Sequence, residues 1–542
     1  MSSIATAVFK ATIGLLVNKG RDKAAEKLKG GDVTDQKFRG LIVREIDDIK
    51  SKLDGLSRKD LGASISSFKE GIVLLYEVFN KARIRNEYGA ATAQAVCVEA
   101  FTLAEDVTML DFTDLDESAK IKLSSAKERF KHAREKALDA FNNEALKTSD
   151  RILAMQYRVM ATILETVDNP EGALTPCRVC VEELNSLSAV QSSFDVQLRE
   201  GTQTALRRLV GKDERRKIIS SVCHVNRVVY DVMQTVRKDV PFWIWPAINI
   251  GEVDPLRDGR VAQVLRKEGM EHCYVPWSFG QEGEEEHKLS DPRGIATNSS
   301  GQFIVGDINK VKMFDPNGQF IRHFSPHNAD VETKLDIWDV ATDNKDNIYV
   351  LVECKKMTGS EELFVYEIFR NTAVLRQKFP VKGEYWVRGL AVTNSQVPVL
   401  KGSSVSVYDT DGQFVQSLRD GTLEDLCDIT AANDGCVMVV GRDDSCVHIF
   451  SEDGVHLNQF KLLGSYRYPR IAFHFLSEHV VIAGKKEEPV VVVEIFTKDG
   501  DFVRSTQIHD KQIGDISGMT VTRNGQIALL VIIDDKWKVL VI

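Results

Sequence analysis

Residues 289–324 read LSDPRGIATNSSGQFIVGDINKVKMFDPNGQFIRHF. Four short apolar runs in this stretch are separated by polar turns rich in Asn, Asp, Ser and Gly. Asn317-Gly318 lies between two runs that alternate apolar and polar residues. Asn-Gly in that setting is a strong hairpin signal, because the tightest turns need positive φ. The stretch therefore predicts a four-stranded antiparallel meander.

The same pattern recurs five more times towards the end of the chain. Each copy has a small residue in its first strand, namely Ala296, Ala341, Ala391, Thr430, Ala472 and Thr520. These residues follow one another at intervals of 45, 50, 39, 42 and 48. In four copies the last turn is Asn-Gly or Asp-Gly. Since a lone meander leaves an apolar face uncovered, the repeat predicts a six-bladed β-propeller over residues 273–542.

The blade sequence resembles the NHL-repeat family, whose pattern is P-x-G-I-A, then G-x-I-x-V-x-D, then V-x-V-F-D-x-x-G-x-F. The first copy matches nearly throughout. The second copy has RNTAV in place of the Gly turn, and the second, fourth and fifth lack the Gly before the first strand. The resemblance implies a TRIM-NHL-like propeller. The Cys/His spacings of RING and B-box modules do not occur in residues 1–270, so it implies no ligase activity.

The last nine residues, DDKWKVLVI from 534 to 542, form an alternating strand that is third in the sixth blade. A strand left unpaired at a sheet edge invites association with other chains. The segment CYVPWSFG, residues 273–280, occupies the place that a fourth strand holds in complete copies. We expect it to pair with the last strand and close the ring, burying Trp277 and Phe279.

The turns before the innermost strands and the loops between the second and third strands are expected to line one face of the ring. Arg and Trp dominate protein-interface hot spots. The candidate partner-binding residues on this face, called here the Trp338 face, are Arg293, Lys310, Trp338, Arg388, Arg442 and Arg470.

Charge favours a protein partner for this face over RNA. The net charge is -9; residues 1–250 hold 38 basic and 35 acidic residues, whereas residues 251–542 hold 32 and 44. RNA binding needs a mostly basic face, because phosphate neutralisation supplies much of the affinity. Basic and acidic residues alternate in the loops of the acidic half. RNA binding remains an alternative.

No catalytic motif is found in the sequence. It contains no Walker loop, no His-Glu-x-x-His and no Gly-x-Ser-x-Gly. The histidines of the repeats do not occupy equivalent positions. Cys177 and Cys180 form one CxxC pair that Cys223-His224 and His272-Cys273 could complete as a zinc site, although packing is the favoured interpretation. We therefore expect no enzyme activity, cofactor or metal.

Nine cysteines, an odd and scattered set, favour reduced thiols, and no apolar run approaches the ~20 residues that span a bilayer. The sequence therefore predicts a cytoplasmic protein.

Residues 1–240 show helical periodicity and predict an α-helical bundle or solenoid. Helices are expected at about 42–56, 61–79, 88–109, 114–145, 149–168, 171–188 and 191–238, with Asp114 or Asp150 as caps. The helical domain would serve recruitment or self-association. Residues 152–187 read as a helical hairpin.

Residues 3–18, SIATAVFKATIGLLVN, are apolar with one charge. Such a helix is either buried in the bundle, which is favoured, or lies at a membrane surface. The second arrangement is similar to that of membrane-perturbing bundles of the HeLo type. A membrane-active effector with a ligand-sensing propeller is therefore the first alternative to an interaction or scaffold protein.

The linker over residues 241–272 begins PFWIWP. Phe242, Trp243 and Trp245 are too apolar for a free linker, and we expect them to dock the domains together.

Overall fold

The computed structural model describes residues 43–44, 46–47, 49–50, 58–89, 115–198, 211–237, 241, 243, 245–248, 253–326, 333–356, 361–370, 374–381, 387–418, 425–486, 490–509 and 513–542. They belong to two compact units. The helical unit falls within residues 1–240, 246–256 and 260–274. The propeller unit falls within residues 241–245, 257–259 and 275–542.

The described part of the first unit is helical, as predicted. Its α-helices are α1 Lys59–Gly89, α2 Glu117–Asn142, α3 Thr148–Glu165, α4 Leu174–Ser186, α5 Ser188–Leu198, α6 Lys212–Val236 and α7 Gly259–Lys267, with 3-10 turns at Pro170–Ala173 and Glu271–Cys273. Most of the predicted helix at 42–56, nearly all of that at 88–109 and all of residues 3–18 lie outside the described residues. None of the described helices is long and apolar enough to cross a membrane.

Aromatic rings hold α1, α2 and α3 together. The ring of Phe68 lies 5.6 Å from that of Phe130 and 5.4 Å from that of Tyr157. Phe130 reaches this position because α1 has Gly71 beneath it, where a Cβ atom would lie 2.7 Å from the ring. The predicted apolar stripe of α1 therefore becomes the centre of the bundle, since packing of such faces supplies most helix stability in proteins.

The predicted helix caps are not the ones observed. Asp116 caps α2, and its carboxylate accepts a hydrogen bond of 2.7 Å from the Ala119 N–H. Asp150 lies inside the first turn of α3 and forms an ion pair of 2.9 Å with Arg58. The partly buried Arg58 thus pairs with the carboxylate that the sequence assigned to a cap.

The second unit is a six-bladed propeller of four-stranded antiparallel sheets, as predicted. Blades 1 to 3 contain β2 Pro292–Thr297, β3 Phe303–Asp307, β4 Lys310–Phe314 and β5 Phe320–Phe324; β6 Thr333–Thr342, β7 Ile348–Lys356, β8 Glu361–Phe369 and β9 Val374–Pro380; β10 Val387–Leu390, β11 Gln396–Lys401, β12 Ser404–Asp409 and β13 Phe414–Leu418. Blades 4 to 6 contain β14 Leu426–Ala431, β15 Val437–Gly441, β16 Cys446–Phe450 and β17 His456–Lys461; β18 Arg470–His474, β19 His479–Lys485, β20 Val490–Thr497 and β21 Phe502–His509; β22 Ile513–Val521, β23 Ile527–Ile533, β24 Lys536–Val541 and β1 Trp277–Phe279.

The last strand finds its partner where the sequence placed it. β1 pairs antiparallel with β24, and Trp277, Ser278 and Phe279 lie opposite Val541, Leu540 and Val539. The strand is shorter than residues 273–280. Phe279 is buried, whereas Trp277 is half-buried. Closure joins the two ends of the repeat array and removes the exposed edge.

The glycines of the predicted hairpin turns have a second role beyond positive φ. A Cβ atom at Gly318 would lie 2.5 Å from the Phe279 ring, and one at Gly412 would lie 2.5 Å from Phe379. Each turn thus packs against the outermost strand of the preceding blade. Phe279 of β1 makes the contact that Phe379 of β9 makes elsewhere, so β1 acts as a true fourth strand.

Linker aromatics pack within the propeller unit. Trp243 and Trp245 are buried, and the Trp243 ring meets the His474 ring edge-on at 5.2 Å. The Arg504 guanidinium donates to the carbonyl oxygens of both tryptophans, at 3.3 and 2.5 Å. Phe242 lies outside the described residues, and docking of the two domains through this segment stays a prediction.

Candidate partner-binding face and axial channel

Arg293, at the start of β2 in blade 1, and Trp338, in the middle of β6 in blade 2, form one stacked unit. The Arg293 guanidinium lies 4.2 Å from the centre of the Trp338 ring and forms an ion pair of 3.4 Å with Asp291. The indole N–H of Trp338 donates to Glu353 at 3.2 Å, and Glu353 pairs with Lys355 at 3.1 Å. The contacts hold both side chains in fixed positions.

A second arginine–aromatic stack on the same face was not predicted. The guanidinium groups of Arg442 and Arg467 lie 5.6 and 5.5 Å from the centre of the Tyr468 ring. Tyr468 is 39% exposed. Arg442 also pairs with Asp425 and, at 3.4 Å, with Asp443. In the sequence, the segment RYPR, residues 467–470, could have indicated this stack, because it places a tyrosine beside an arginine.

The other predicted face residues have separate surroundings. The Lys310 ammonium lies 3.3 Å from Nε2 of His323, whose pKa is lowered by burial and by the nearby lysine. Arg388 lies on β10, and its side chain is outside the described residues. Arg470 points to the ring axis, where it donates to the carbonyl oxygens of Cys427 at 3.4 Å and Ile516 at 3.3 Å. The structure therefore brings together only some of the predicted set.

A channel of about 400 Å³ runs along the propeller axis between the innermost strands. Six equivalent positions, two residues before the small residue of each repeat, lie on the innermost strands around it, and Asp339, Asp428, Arg470 and Gly518 line the channel itself. This axial ring consists of Gly294, Asp339, Gly389, Asp428, Arg470 and Gly518.

The two aspartates of the axial ring connect neighbouring blades. Asp339 accepts one hydrogen bond of 2.8 Å from the N–H of the following residue and one of 2.7 Å from the Leu390 N–H of blade 3. Asp428 does the same in blade 4, accepting at 3.0 Å from the next N–H and at 2.9 Å from the Ile471 N–H of blade 5. Each carboxylate is therefore an inter-blade connector.

Burial dominates the electrostatics of the ring. It raises the pKa of Asp339 to about 8, with a further contribution from the charge of Asp428, against the backbone hydrogen bonds and Arg470. Burial also raises the pKa of Asp428, although Arg470 and two backbone N–H groups oppose it. Desolvation disfavours the charged carboxylate in both cases. The axial ring thus combines the Arg470 cation with two carboxyl groups whose raised pKa values favour the protonated form.

Steric demand explains the glycines of the ring. A Cβ atom at Gly294 would lie 2.3 Å from Oδ1 of Asp339, and one at Gly518 would lie 2.9 Å from the carbonyl oxygen of Arg293. At Gly389 it would lie 2.8 Å from Ile429. Glycine allows the inner strands to approach closely. The repeats that depart from the family glycine are those that supply the charged side chains.

The opposite mouth of the channel is polar. Turns after the innermost strands place Asn298, Asn344, Asn394 and Asn433 along its wall. The Asn344 side-chain N–H donates to Asn394 at 2.7 Å, which joins the turns of blades 2 and 3. Arg523 and Phe475 also line this end of the channel, so an arginine and an aromatic ring occur at both mouths, and the four asparagines distinguish this one.

No protein-family model matches the chain. Protein brain tumor of Drosophila melanogaster is 24% identical over 201 residues, which make up 37% of this chain and 15% of that protein. The chain thus aligns with a small part of this relative. The sheet topology shows the propeller, while the NHL-type and TRIM-like assignments stay predictions.

The solved structures that match this chain do so at low identity and low TM-score. The WD40 repeats of RRP9 match at 12% identity and a TM-score of 0.35, covering 49% of this chain and 96% of that one. A protein from Bacteroides caccae matches at 14% and 0.33, covering 42% and 85%. Streptogramin B lyase matches at 11% and 0.31, covering 49% and 97%.

Proposed function

We propose that this chain is a non-enzymatic interaction or scaffold protein whose propeller binds a protein partner through the Trp338 face, with the helical domain serving recruitment or self-association. The observation that carries the proposal is the stack of Arg293 on Trp338, held between Asp291 and Glu353. Arginine and tryptophan in fixed, partly desolvated positions are typical of interface hot spots. Little conformational entropy remains to be lost there on binding.

The pairing of charges favours a protein over RNA. Several basic side chains around the face have carboxylate partners, and these pairs include Arg293–Asp291, Lys355–Glu353, Arg442–Asp425, Lys485–Asp515 and Lys538–Asp534. A nucleic-acid backbone would have to displace these carboxylates before its phosphates were neutralised. A protein surface with both charge signs can instead extend the existing pairs.

One observation favours RNA as a second candidate. Arginine guanidinium groups and aromatic rings are also the surfaces on which unpaired bases stack. Tyr468, exposed between Arg442 and Arg467, has that geometry. The membrane-active alternative rests on residues 3–18, which lie outside the described residues.

To test the proposal, the full chain is immobilised and exposed to a lysate. Four forms are compared: wild type, Trp338→Ala, Arg293→Glu and Ser300→Glu. Ser300 is an exposed residue in the turn at the opposite end of the strand that starts beside Arg293, so it is a matched charge control. We expect proteins retained by wild type and Ser300→Glu to fall about tenfold or more with both face variants. Equal retention by all four forms would overturn the proposal.

Two further measurements separate the alternatives. Binding of labelled single-stranded RNA by the full chain, lost in Trp338→Ala and falling steeply with salt, would replace the protein partner with RNA. Leakage of anionic vesicles caused by the full chain and unaffected by Trp338→Ala would indicate the membrane-active effector.

A further inference from the structure

Three potential metal ligands from distant parts of the sequence meet in the helical unit. His224 lies in the middle of α6, while His272 and Cys273 form the end of the 3-10 turn Glu271–Cys273. Their ligand atoms all lie within 4.8 Å of one another. Two imidazoles and a thiol are a donor set suited to Zn²⁺ rather than to Ca²⁺ or Mg²⁺.

The distance between the Cys273 sulfur and the His224 nitrogen matches the one expected for two ligands of the same zinc ion. The Cys273 sulfur lies 3.6 Å from Nδ1 of His224. Zinc bonds of about 2.3 Å to sulfur and about 2.05 Å to nitrogen, at a tetrahedral angle, place these two atoms roughly 3.6 Å apart. Zinc could therefore enter between them with little movement of either side chain, replacing a thiol–imidazole contact by two coordinate bonds.

Burial gives the three ligands different roles. His224 and Cys273 are 2% and 0% exposed, so packing fixes them, whereas His272 is exposed and its ring can turn towards the ion. The exposed side also gives the ion a path from solvent. Three protein ligands leave one position of a tetrahedral ion for water.

The site differs from the one that the sequence suggested. Cys177 and Cys180 are buried on α4, and neither thiol belongs to the group of clustered ligand atoms. The Cys223 thiol, one residue before His224, donates to the Pro255 carbonyl at 3.1 Å. The group therefore contains neither the CxxC pair nor Cys223, the thiol of α6.

We propose that His224, His272 and Cys273 bind one Zn²⁺ ion with water as the fourth ligand, fastening the Glu271–Cys273 turn to α6. Zinc binding would require the Cys273 thiol to lose its proton to solvent, so affinity should rise with pH. The ion would stabilise the helical unit, because binding to the folded state alone shifts the folding equilibrium.

The test uses the full chain stripped with a chelator and then titrated with Zn²⁺ or Co²⁺ alone. Wild type should retain one zinc per chain after gel filtration and should show the visible and thiolate charge-transfer bands of tetrahedral cobalt. Cys273→Ser should lose the charge-transfer band. His272→Ala, which changes an exposed residue, should keep its circular dichroism and weaken zinc affinity on the order of tenfold or more.

Cys223→Ser is the matched control, since it removes the neighbouring buried thiol of the same helix; it should bind zinc like wild type. The proposal fails if wild type retains no zinc, if cobalt bands persist in Cys273→Ser, or if folded His272→Ala binds zinc with unchanged affinity.

Discussion

The carboxylate of Asp339 in blade 2 accepts a 2.7 Å hydrogen bond from the Leu390 N–H in blade 3. Asp428 makes the corresponding bond to Ile471, from blade 4 to blade 5. Two of the six blade boundaries are thus joined at the axis by buried carboxyl groups. Because burial favours the protonated form of both groups, the stability of the ring should depend on pH.

Alkaline pH should destabilise the propeller. The pKa of Asp339 is raised to about 8, whereas an unfolded aspartate titrates near 4. The folded state therefore binds more protons than the unfolded state between these values, so stability falls as pH rises through this window. The loss of one such proton lowers the free energy of unfolding by about 2 kcal/mol between pH 6 and pH 8. All six tryptophans lie in the propeller unit, so tryptophan fluorescence during urea unfolding reports on it.

Asp339→Asn should flatten this pH dependence while lowering stability at pH 6, because an amide oxygen can replace only one of the two carboxylate acceptors. Asp411→Asn, at an exposed turn, should unfold like wild type at both pH values. An Asp339→Asn chain whose midpoint still falls as steeply as that of wild type would contradict the assignment.

Acid should destabilise the ring through His474. Its Nε2 lies 3.0 Å from the Arg523 carbonyl oxygen and its Nδ1 lies 2.6 Å from the Ser477 hydroxyl, so the neutral ring is satisfied on both sides. Burial lowers its pKa. The unfolded state therefore takes up the proton first, and stability falls as pH drops below about 6.5. Between pH 7 and pH 5, the free energy of unfolding of His474→Gln, measured by tryptophan fluorescence, should fall less than that of wild type. An equal fall would show that protonation of His474 does not cause the acid destabilisation.

Two glycines with positive φ should differ in their tolerance of alanine. Gly318 has φ +78°, and an added Cβ would lie 2.5 Å from Phe279. Gly402 has φ +49° with nothing within 4 Å of the same atom. Backbone strain alone costs about 1 to 2 kcal/mol, and the clash should add about 1 to 3 kcal/mol at Gly318. The midpoints of thermal unfolding of Gly318→Ala and Gly402→Ala compare the two costs directly. Equal decreases in the two midpoints would show that the Phe279 side chain moves away from the added Cβ atom without cost.

The propeller and its closing strand were predictable because each repeat carries its own turn and strand pattern. Gly318 and Gly412 mark hairpins whatever surrounds them. The axial ring was not predictable, since it depends on which residues of different blades meet. The absence of the family glycine at Asp339 and Asp428 was the signal in the sequence, but it does not tell which N–H group of the next blade each carboxylate accepts from.

Predictions of individual side-chain partners succeeded less often. Asp150 looked like a helix cap by its position before an apolar run, yet Arg58, which is 92 residues away, takes its carboxylate. In the sequence, His224 and Cys273 could complete a CxxC zinc site, yet they meet each other across 49 residues in a group that lacks that pair. Long-range contacts of this kind follow from helix packing and cannot be read from local spacing.

Removing residues 535–542 should open the propeller. This deletion takes away β24, whose Val539 and Val541 are almost completely buried and lie opposite Phe279 and Trp277. Burial of each large apolar side chain contributes about 1.5 to 3 kcal/mol. Four buried side chains at the end of the chain, residues 539–542, therefore contribute about 6 to 12 kcal/mol, which is comparable to the stability of a whole domain.

Limited proteolysis with chymotrypsin, followed by mass spectrometry, checks the opening. We expect cleavage at Trp277 and Phe279 in the shortened chain and protection of the same bonds in wild type, since pairing with β24 is what holds β1. Lys536→Ala changes an exposed residue of the same strand and should remain protected. A shortened chain that stays folded and resists cleavage at residues 277–279 would show that the ring does not depend on this closure.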